Sequence, residues 1–95
     1  MNMLQTKRVH LFITGRVQGV FYRSSTKEIA QKLCLKGWVR NLSDGRVEVL
    51  AQGDESNLKD CISWAWQGPA GAFVTDVSIT WEDTALEFSD FRITN

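Results

Sequence analysis

The chain is poor in the groups that most often carry chemistry: one histidine and two cysteines in 95 residues, no net charge, and no long apolar run. With His10 alone, and Cys34 and Cys61 in no metal-type spacing, there is no His/Cys/carboxylate cluster. Neither a metal site nor a cofactor is expected. Two cysteines are too few for the disulfide framework of a small secreted scaffold, and both are expected as buried free thiols. No apolar stretch approaches the roughly 20 residues of a bilayer-spanning helix. The N-terminus lacks a signal-peptide pattern, so the expectation is a cytoplasmic protein with no membrane contact. A hydrophobic fraction of 43% with balanced charge excludes a disordered tail.

What is present begins with a concealed asymmetry. Residues 1–46 carry nine Lys/Arg and two acids, whereas residues 47–95 carry two bases and nine acids, a split of +7 against −7. The first half looks prepared for an anion, although sequence halves need not be spatial halves. A chain of this length has no room for two cores, so residues 1–95 are expected to form a single domain.

Residues 8–14 alternate, with Val9, Leu11 and Ile13 on one face and His10 and Phe12 on the other, which marks a half-buried strand. Residues 15–22 read as a loop bounded by glycines. A helix follows, with Ser25 and Glu28 as a capping box, Ile29, Ala30 and Leu33 as its apolar stripe, and Gly37 as its terminator. Strands are expected over 38–42 and 46–52, joined by the hairpin signal Ser43-Asp44-Gly45. Asp54 caps a second helix whose stripe is Leu58, Cys61, Ile62 and Ala65, with Trp64 off the stripe and Gly68-Pro69 ending it. Val77, Ile79 and Trp81 mark a fourth strand, and 88–94 a short fifth.

This β-α-β-β-α-β order with an extra C-terminal strand predicts an α+β fold, a ferredoxin-like two-layer α/β sandwich. It has an antiparallel sheet with both helices on one face. The topology brings the C-terminal ends of the first two strands to one sheet edge, one strand apart. The loop at 15–22, Arg23 and Asn41 therefore meet there. A loop of backbone N–H groups feeding a helix N-terminus suits an anion. Arg23 in the first helical turn opposes the helix dipole unless an anion lies between, and its guanidinium fork fits phosphate oxygens. Asn41 is either an ordinary turn residue or an amide that holds a water.

Gly15-Arg16-Val17-Gln18-Gly19-Val20-Phe21-Tyr22-Arg23, followed by Gly37-Trp38-Val39-Arg40-Asn41 and then Gly45-Arg46-Val47 and Gly53, resembles the two signatures of the acylphosphatase family, and the resemblance covers essentially the whole chain. Tyr22 departs from the family's usual Phe or Met, and its hydroxyl needs a partner or solvent. The resemblance implies an acylphosphatase that hydrolyses the carboxyl-phosphate bond of small acyl phosphates. Gly15, Arg16, Val17, Gln18, Gly19, Val20, Phe21 and Tyr22 would line the substrate, with the loop amides and Arg23 on the phosphate and Asn41 orienting the attacking water. Inorganic phosphate would be product and inhibitor, and the enzyme a metal-independent monomer. With few apolar selectors in an open loop, tolerance of the acyl group is expected.

The competing reading is a ferredoxin-like RNA-binding or regulatory module without catalysis. RNA recognition on such a sheet asks for aromatics on strands 1 and 3. Phe12 supplies one, but residues 46–52 contain none and place Glu48 on the same face. No nucleic-acid partner is expected.

Overall fold

The computed structural model describes residues 6–84 and 87–94. The elements run β1 (Thr6–Arg16), α1 (Tyr22–Lys32), β2 (Lys36–Asn41), β3 (Val47–Asp54), α2 (Glu55–Gln67), β4 (Phe73–Asp83) and β5 (Phe91–Ile93). They form one five-stranded sheet in the order β4-β1-β3-β2-β5. β3 pairs antiparallel with both β1 and β2, which makes those two parallel with β3 between them, as the sequence order requires. β5 runs parallel to β2, Phe91 opposite Gly37 and Ile93 opposite Val39. The sheet is therefore mixed and not wholly antiparallel as expected: the connection after β4 returns the chain to the far edge in β2's own direction.

Alternation explains the core. Val9, Leu11 and Ile13 from β1, Val39 from β2, and Val47, Val49 and Ala51 from β3 are buried, together with Ala30, Leu58, Cys61 and Ala65 from the helices. Burial raises the Cys61 thiol to about 11, which leaves it a protonated packing group. Cys34, expected inside, is exposed, and both thiols are free. On β4 only Val77 of the expected stripe is buried, and Ile79 and Trp81 stay about 40% exposed because β4 is an edge strand.

Both ends of α1 differ from the sequence expectation. The helix starts at Tyr22, with Phe21 in the left-handed conformation at φ 66° as its cap. Ser25 thus lies inside the first turn, its N–H donating to the Phe21 carbonyl at 3.0 Å, and forms no capping box. Thr26 is buried and its hydroxyl donates to the Tyr22 carbonyl at 2.8 Å, so the buried stripe is Tyr22, Thr26 and Ala30. The helix ends at Lys32 with Leu33 as its cap, and beyond it Cys34 takes φ 58°, the N–H groups of Cys34 and Leu35 reaching back to the carbonyls of Gln31 and Ala30 at 3.1 and 2.8 Å. That is a Schellman stop with cysteine in the position glycine usually holds. Gly37 serves another purpose: a Cβ there would lie 1.9 Å from the Leu50 carbonyl oxygen, so its absence lets β2 approach β3.

α2 follows expectation. The Asp54 carboxylate accepts from the Ser56 N–H at 3.2 Å, and Gly68 closes the helix with its N–H on the Trp64 carbonyl at 2.7 Å.

Candidate active site

Parallel placement of β1, β2 and β5 puts three strand ends at one edge of the sheet. The chain leaves β1 at Arg16, crosses residues 17–21, and enters α1 at Tyr22. Asn41 is the last residue of β2 and Ile93 the last of β5. Between these ends lies a cavity of roughly 350 Å3 lined by Val17, Gly19, Phe21 and Tyr22 from the loop and helix start, Arg23 and Ser24 from α1, and Asn41 and Ile93 from the strands. The edge therefore unites Arg23 with Asn41, eighteen positions apart in the chain.

The loop's conformation follows from its glycine and its anchors. Gly19 takes φ 77° with open space around the position of a Cβ. The side-chain amide of Gln18 donates to the carbonyls of Leu42 and Arg46 at 2.8 and 2.9 Å, which ties the loop to the β2–β3 turn. That turn is itself held by the Arg46 N–H and guanidinium on the Asp44 carboxylate at 3.1 and 2.8 Å. Val17 is buried, and Tyr22 is buried with its hydroxyl donating to the Ala65 carbonyl at 2.7 Å. The partner that this hydroxyl needs is thus found in α2, and the loop is pinned at both ends.

The electrostatics at this edge are one-sided. The first N–H groups of a helix have no intrahelical acceptor, and α1 has neither a side-chain cap nor an acid in its first turn. Among the described residues, Lys7, Arg8, Arg40, Arg46, Lys59 and Arg92 each have a carboxylate partner, whereas Arg16, Arg23, Lys27, Lys32 and Lys36 have none, and of these five Arg23 is the one that lines the cavity. Facing it across the cavity is Asn41, whose Oδ1 is buried and accepts no hydrogen bond from the described residues. An unneutralised guanidinium, uncapped helix N–H groups and an unsatisfied amide oxygen suit a tetrahedral oxyanion together with a water.

Not every expected residue reaches the cavity. Gly15 and Arg16 belong to β1, paired with Val74 and Phe73 past a bulge, and lie outside the lining. Gly15 lacks a Cβ because one would sit 2.1 Å from the Phe73 carbonyl oxygen, a demand of the sheet and not of the loop. The Gln18 side chain points into the turn, and that of Tyr22 into the core. Two lining residues escaped sequence reasoning. Ser24, whose hydroxyl donates to the Phe21 carbonyl at 3.1 Å, directly follows Arg23 and could have been found from that adjacency. Ile93 carried no local signal, since its place depends on the direction of β5.

A larger depression of about 440 Å3 elsewhere is lined by Lys7, Glu55, Lys59, Trp81, Glu82 and Asp83. Its lysines are already paired with Asp83 and Glu55 at 2.7 and 3.2 Å, so it presents no unneutralised charge of either kind. Among the described residues, no group of three or more His, Cys, Asp or Glu side chains is placed to hold a metal ion, and no helix is long and apolar enough to cross a membrane.

The family model described as Acylphosphatase matches residues 9–93. The chain is similar to the acylphosphatase of Pyrobaculum arsenaticum, 50% identical over 91 residues that span 95% of this chain and 96% of that one. Among solved structures it is similar to the acylphosphatase from Bacillus subtilis, 36% identical with a TM-score of 0.91 over 94% of this chain and 99% of the other. It is also similar to that from Coxiella burnetii, 41% identical with a TM-score of 0.85 over 95% and 94%.

Proposed function

This chain belongs to the acylphosphatase family, and from that premise we propose how its loop edge hydrolyses the carboxyl-phosphate bond of small acyl phosphates to a carboxylate and inorganic phosphate. The backbone N–H groups between Val17 and Arg23, together with the Arg23 guanidinium, hold the phosphoryl oxygens. The Asn41 amide oxygen accepts a hydrogen bond from the attacking water and aims the water oxygen at phosphorus. As the new P–O bond forms, the bond to the acyl oxygen breaks and its electron pair leaves with the carboxylate. The water's proton passes to a phosphate oxygen. A loose phosphoryl-transfer transition state with a good leaving group asks mainly for positioning and charge stabilisation. This matches a cavity whose lining offers no histidine or carboxylate to act as base.

The observation that carries this reading is the pairing of a cation without a carboxylate partner and a buried amide oxygen without a donor in one cavity. Inorganic phosphate, sharing the phosphoryl end of the substrate, is expected to inhibit competitively.

Benzoyl phosphate hydrolysis and phosphate inhibition, measured on two variants, test these roles. Removing a preorganised donor at such a site costs on the order of 10²–10³ in rate. Arg23→Ala is expected to lose turnover to that extent together with phosphate affinity, because both need the guanidinium. Asn41→Ala should keep phosphate inhibition close to the wild-type value while turnover collapses. Full activity in Asn41→Ala would remove the water-positioning role, and unchanged phosphate affinity in Arg23→Ala would remove the oxyanion role.

A further inference from the structure

Hydrolysis of an acyl phosphate makes three demands: the phosphoryl oxygens must be held, the water aimed, and the departing oxygen received. Apart from the Tyr22 hydroxyl, which is turned into the core, three polar side chains line the cavity. Arg23 serves the first demand and Asn41 the second. The third polar side chain is Ser24, whose hydroxyl donates to the Phe21 carbonyl at 3.1 Å. That bond is redundant. The same carbonyl accepts the Ser25 N–H at 3.0 Å, which closes the first turn of α1, so it keeps a donor when the hydroxyl turns away. Ser24 is exposed, and an exposed side chain changes rotamer in picoseconds to nanoseconds. Its hydroxyl is therefore a neutral donor in the cavity that little holds in its resting position.

We propose that Ser24 is a further catalytic residue, its hydroxyl donating a hydrogen bond to the departing carboxylate oxygen. This rests on the hydrolysis proposed above and assigns its leaving-group step. In-line displacement sets the attacking and leaving oxygens on opposite sides of phosphorus. Asn41 ends a strand and Ser24 belongs to the helix layer, so a phosphoryl group held by Arg23 and the loop amides lies between them. Water on the Asn41 side drives the acyl oxygen toward the Ser24 side. As the P–O bond to the acyl group breaks, its electron pair stays on that oxygen and negative charge grows there. The hydroxyl then turns from the Phe21 carbonyl to the charged oxygen. No proton is transferred, because a carboxylate is a stable anion at neutral pH. Exchanging a redundant neutral bond for a charge-assisted one stabilises the transition state more than the ground state.

The test measures single-turnover rates, which isolate the chemical step, for benzoyl, p-nitrobenzoyl and p-methoxybenzoyl phosphate. The substituents change the basicity of the leaving carboxylate and leave the phosphoryl end alone. Wild type is compared with Ser24→Ala and Ser24→Thr. Alanine is the best helix former and the Phe21 carbonyl keeps the Ser25 N–H, so Ser24→Ala is expected to fold, with circular dichroism and thermal melting as the check. Its rate on benzoyl phosphate should fall roughly ten-fold, less than the 10²–10³ of a fixed, preorganised donor, because this hydroxyl is exposed and must turn. The loss should be largest for p-methoxybenzoyl phosphate, the most basic leaving group, and smallest for p-nitrobenzoyl phosphate. Inhibition by inorganic phosphate, which has no departing carboxylate, should stay close to the wild-type value. Ser24→Thr keeps the hydroxyl and should restore most of the rate. An unchanged rate in Ser24→Ala, or equal losses on all three substrates, would overturn the assignment and leave the hydrolase reading standing. Wild-type protein that cleaves none of the three would overturn the underlying reading as well.

Discussion

The Tyr22 hydroxyl sits in the core, donates to the Ala65 carbonyl at 2.7 Å, and lies with its ring 5.3 Å from that of Trp64. Ala65 is in the last turn of α2, where carbonyls lack an intrahelical donor. One side chain therefore satisfies the end of α2 while fixing the start of α1, the residue next to Arg23. Burial, with a smaller contribution from Cys61, pushes the phenol well above its ordinary value of 10, so it stays a donor throughout the working range. Tyr22→Phe leaves the ring in place and orphans the buried carbonyl, which costs about 1–2 kcal/mol. The urea midpoint should fall with an unchanged m-value, and an unaltered midpoint would show that the hydroxyl contributes nothing. The family-like motif around Tyr22 was legible in the sequence, but its hydrogen-bond partner was not, because Ala65 lies 43 positions away.

At the scale of elements, the catalytic geometry depends on how the 17–21 loop is held relative to β2. Gln18 makes that link through two hydrogen bonds to the β2–β3 turn. Its side chain was grouped with the substrate-lining residues by motif, yet it faces the turn. Gln18→Ala should free the loop to shift against Asn41, and displacements near 1 Å cost up to about 10²-fold in rate. A fall of roughly ten-fold in kcat for benzoyl phosphate is expected, with phosphate inhibition reduced less; an unchanged kcat would show that the loop holds its place without this tie. Helix limits at this scale were only partly readable. The N-cap at Asp54 and the stop at Gly68 follow local chemistry and appear where the sequence places them. The ends of α1 do not, because Phe21 and Cys34 occupy left-handed positions that neither residue type advertises. What fixes them is burial of Tyr22 and Leu35 on either side.

For the molecule as a whole, the split of +7 and −7 along the chain does not become two opposed faces. Lys7 and Arg8 on β1 meet Asp83 and Glu82 on β4 at 2.7 and 2.5 Å, and Arg40 on β2 meets Glu48 on β3 at 2.7 Å. Each pairing joins a base of the first half to an acid of the second. Glu48 is the buried member of this group, also 2.5 Å from His10, on the sheet face away from the helices. Burial pushes its carboxyl upward, but hydrogen bonds from His10 and Arg40 together outweigh that and leave it below its ordinary value of 4.5. A carboxyl lowered in the folded state contributes stability that is complete above its unfolded value and is lost as pH falls through the folded one. The Glu48 contribution should therefore be constant at neutral pH and disappear on acidification below about 4.5. Glu48→Gln is expected to cost about 1.5–3 kcal/mol at pH 7, the worth of hydrogen bonds to a charged group. Its thermal stability should converge with the wild type in acid, and a difference that persists there would contradict the linkage.

Local chemistry and periodicity determined the strands, the two helices, their order and hence the ferredoxin-like sandwich. Two motifs with their spacing determined the family, because alternation and short-range capping act within a few residues. Tertiary structure alone decided the direction of β5, the burial of Tyr22 against α2, the seating of Gln18 in the turn, and the release of Gly15 and Arg16 from the cavity. Each of these depends on contacts between distant segments, whose outcome is set by packing and by which carbonyls are left without donors. The scarcity of histidine and cysteine pointed away from a metal site and a disulfide framework. The fold brought Arg23, left without a carboxylate partner, to the same strand edge as the unsatisfied amide of Asn41.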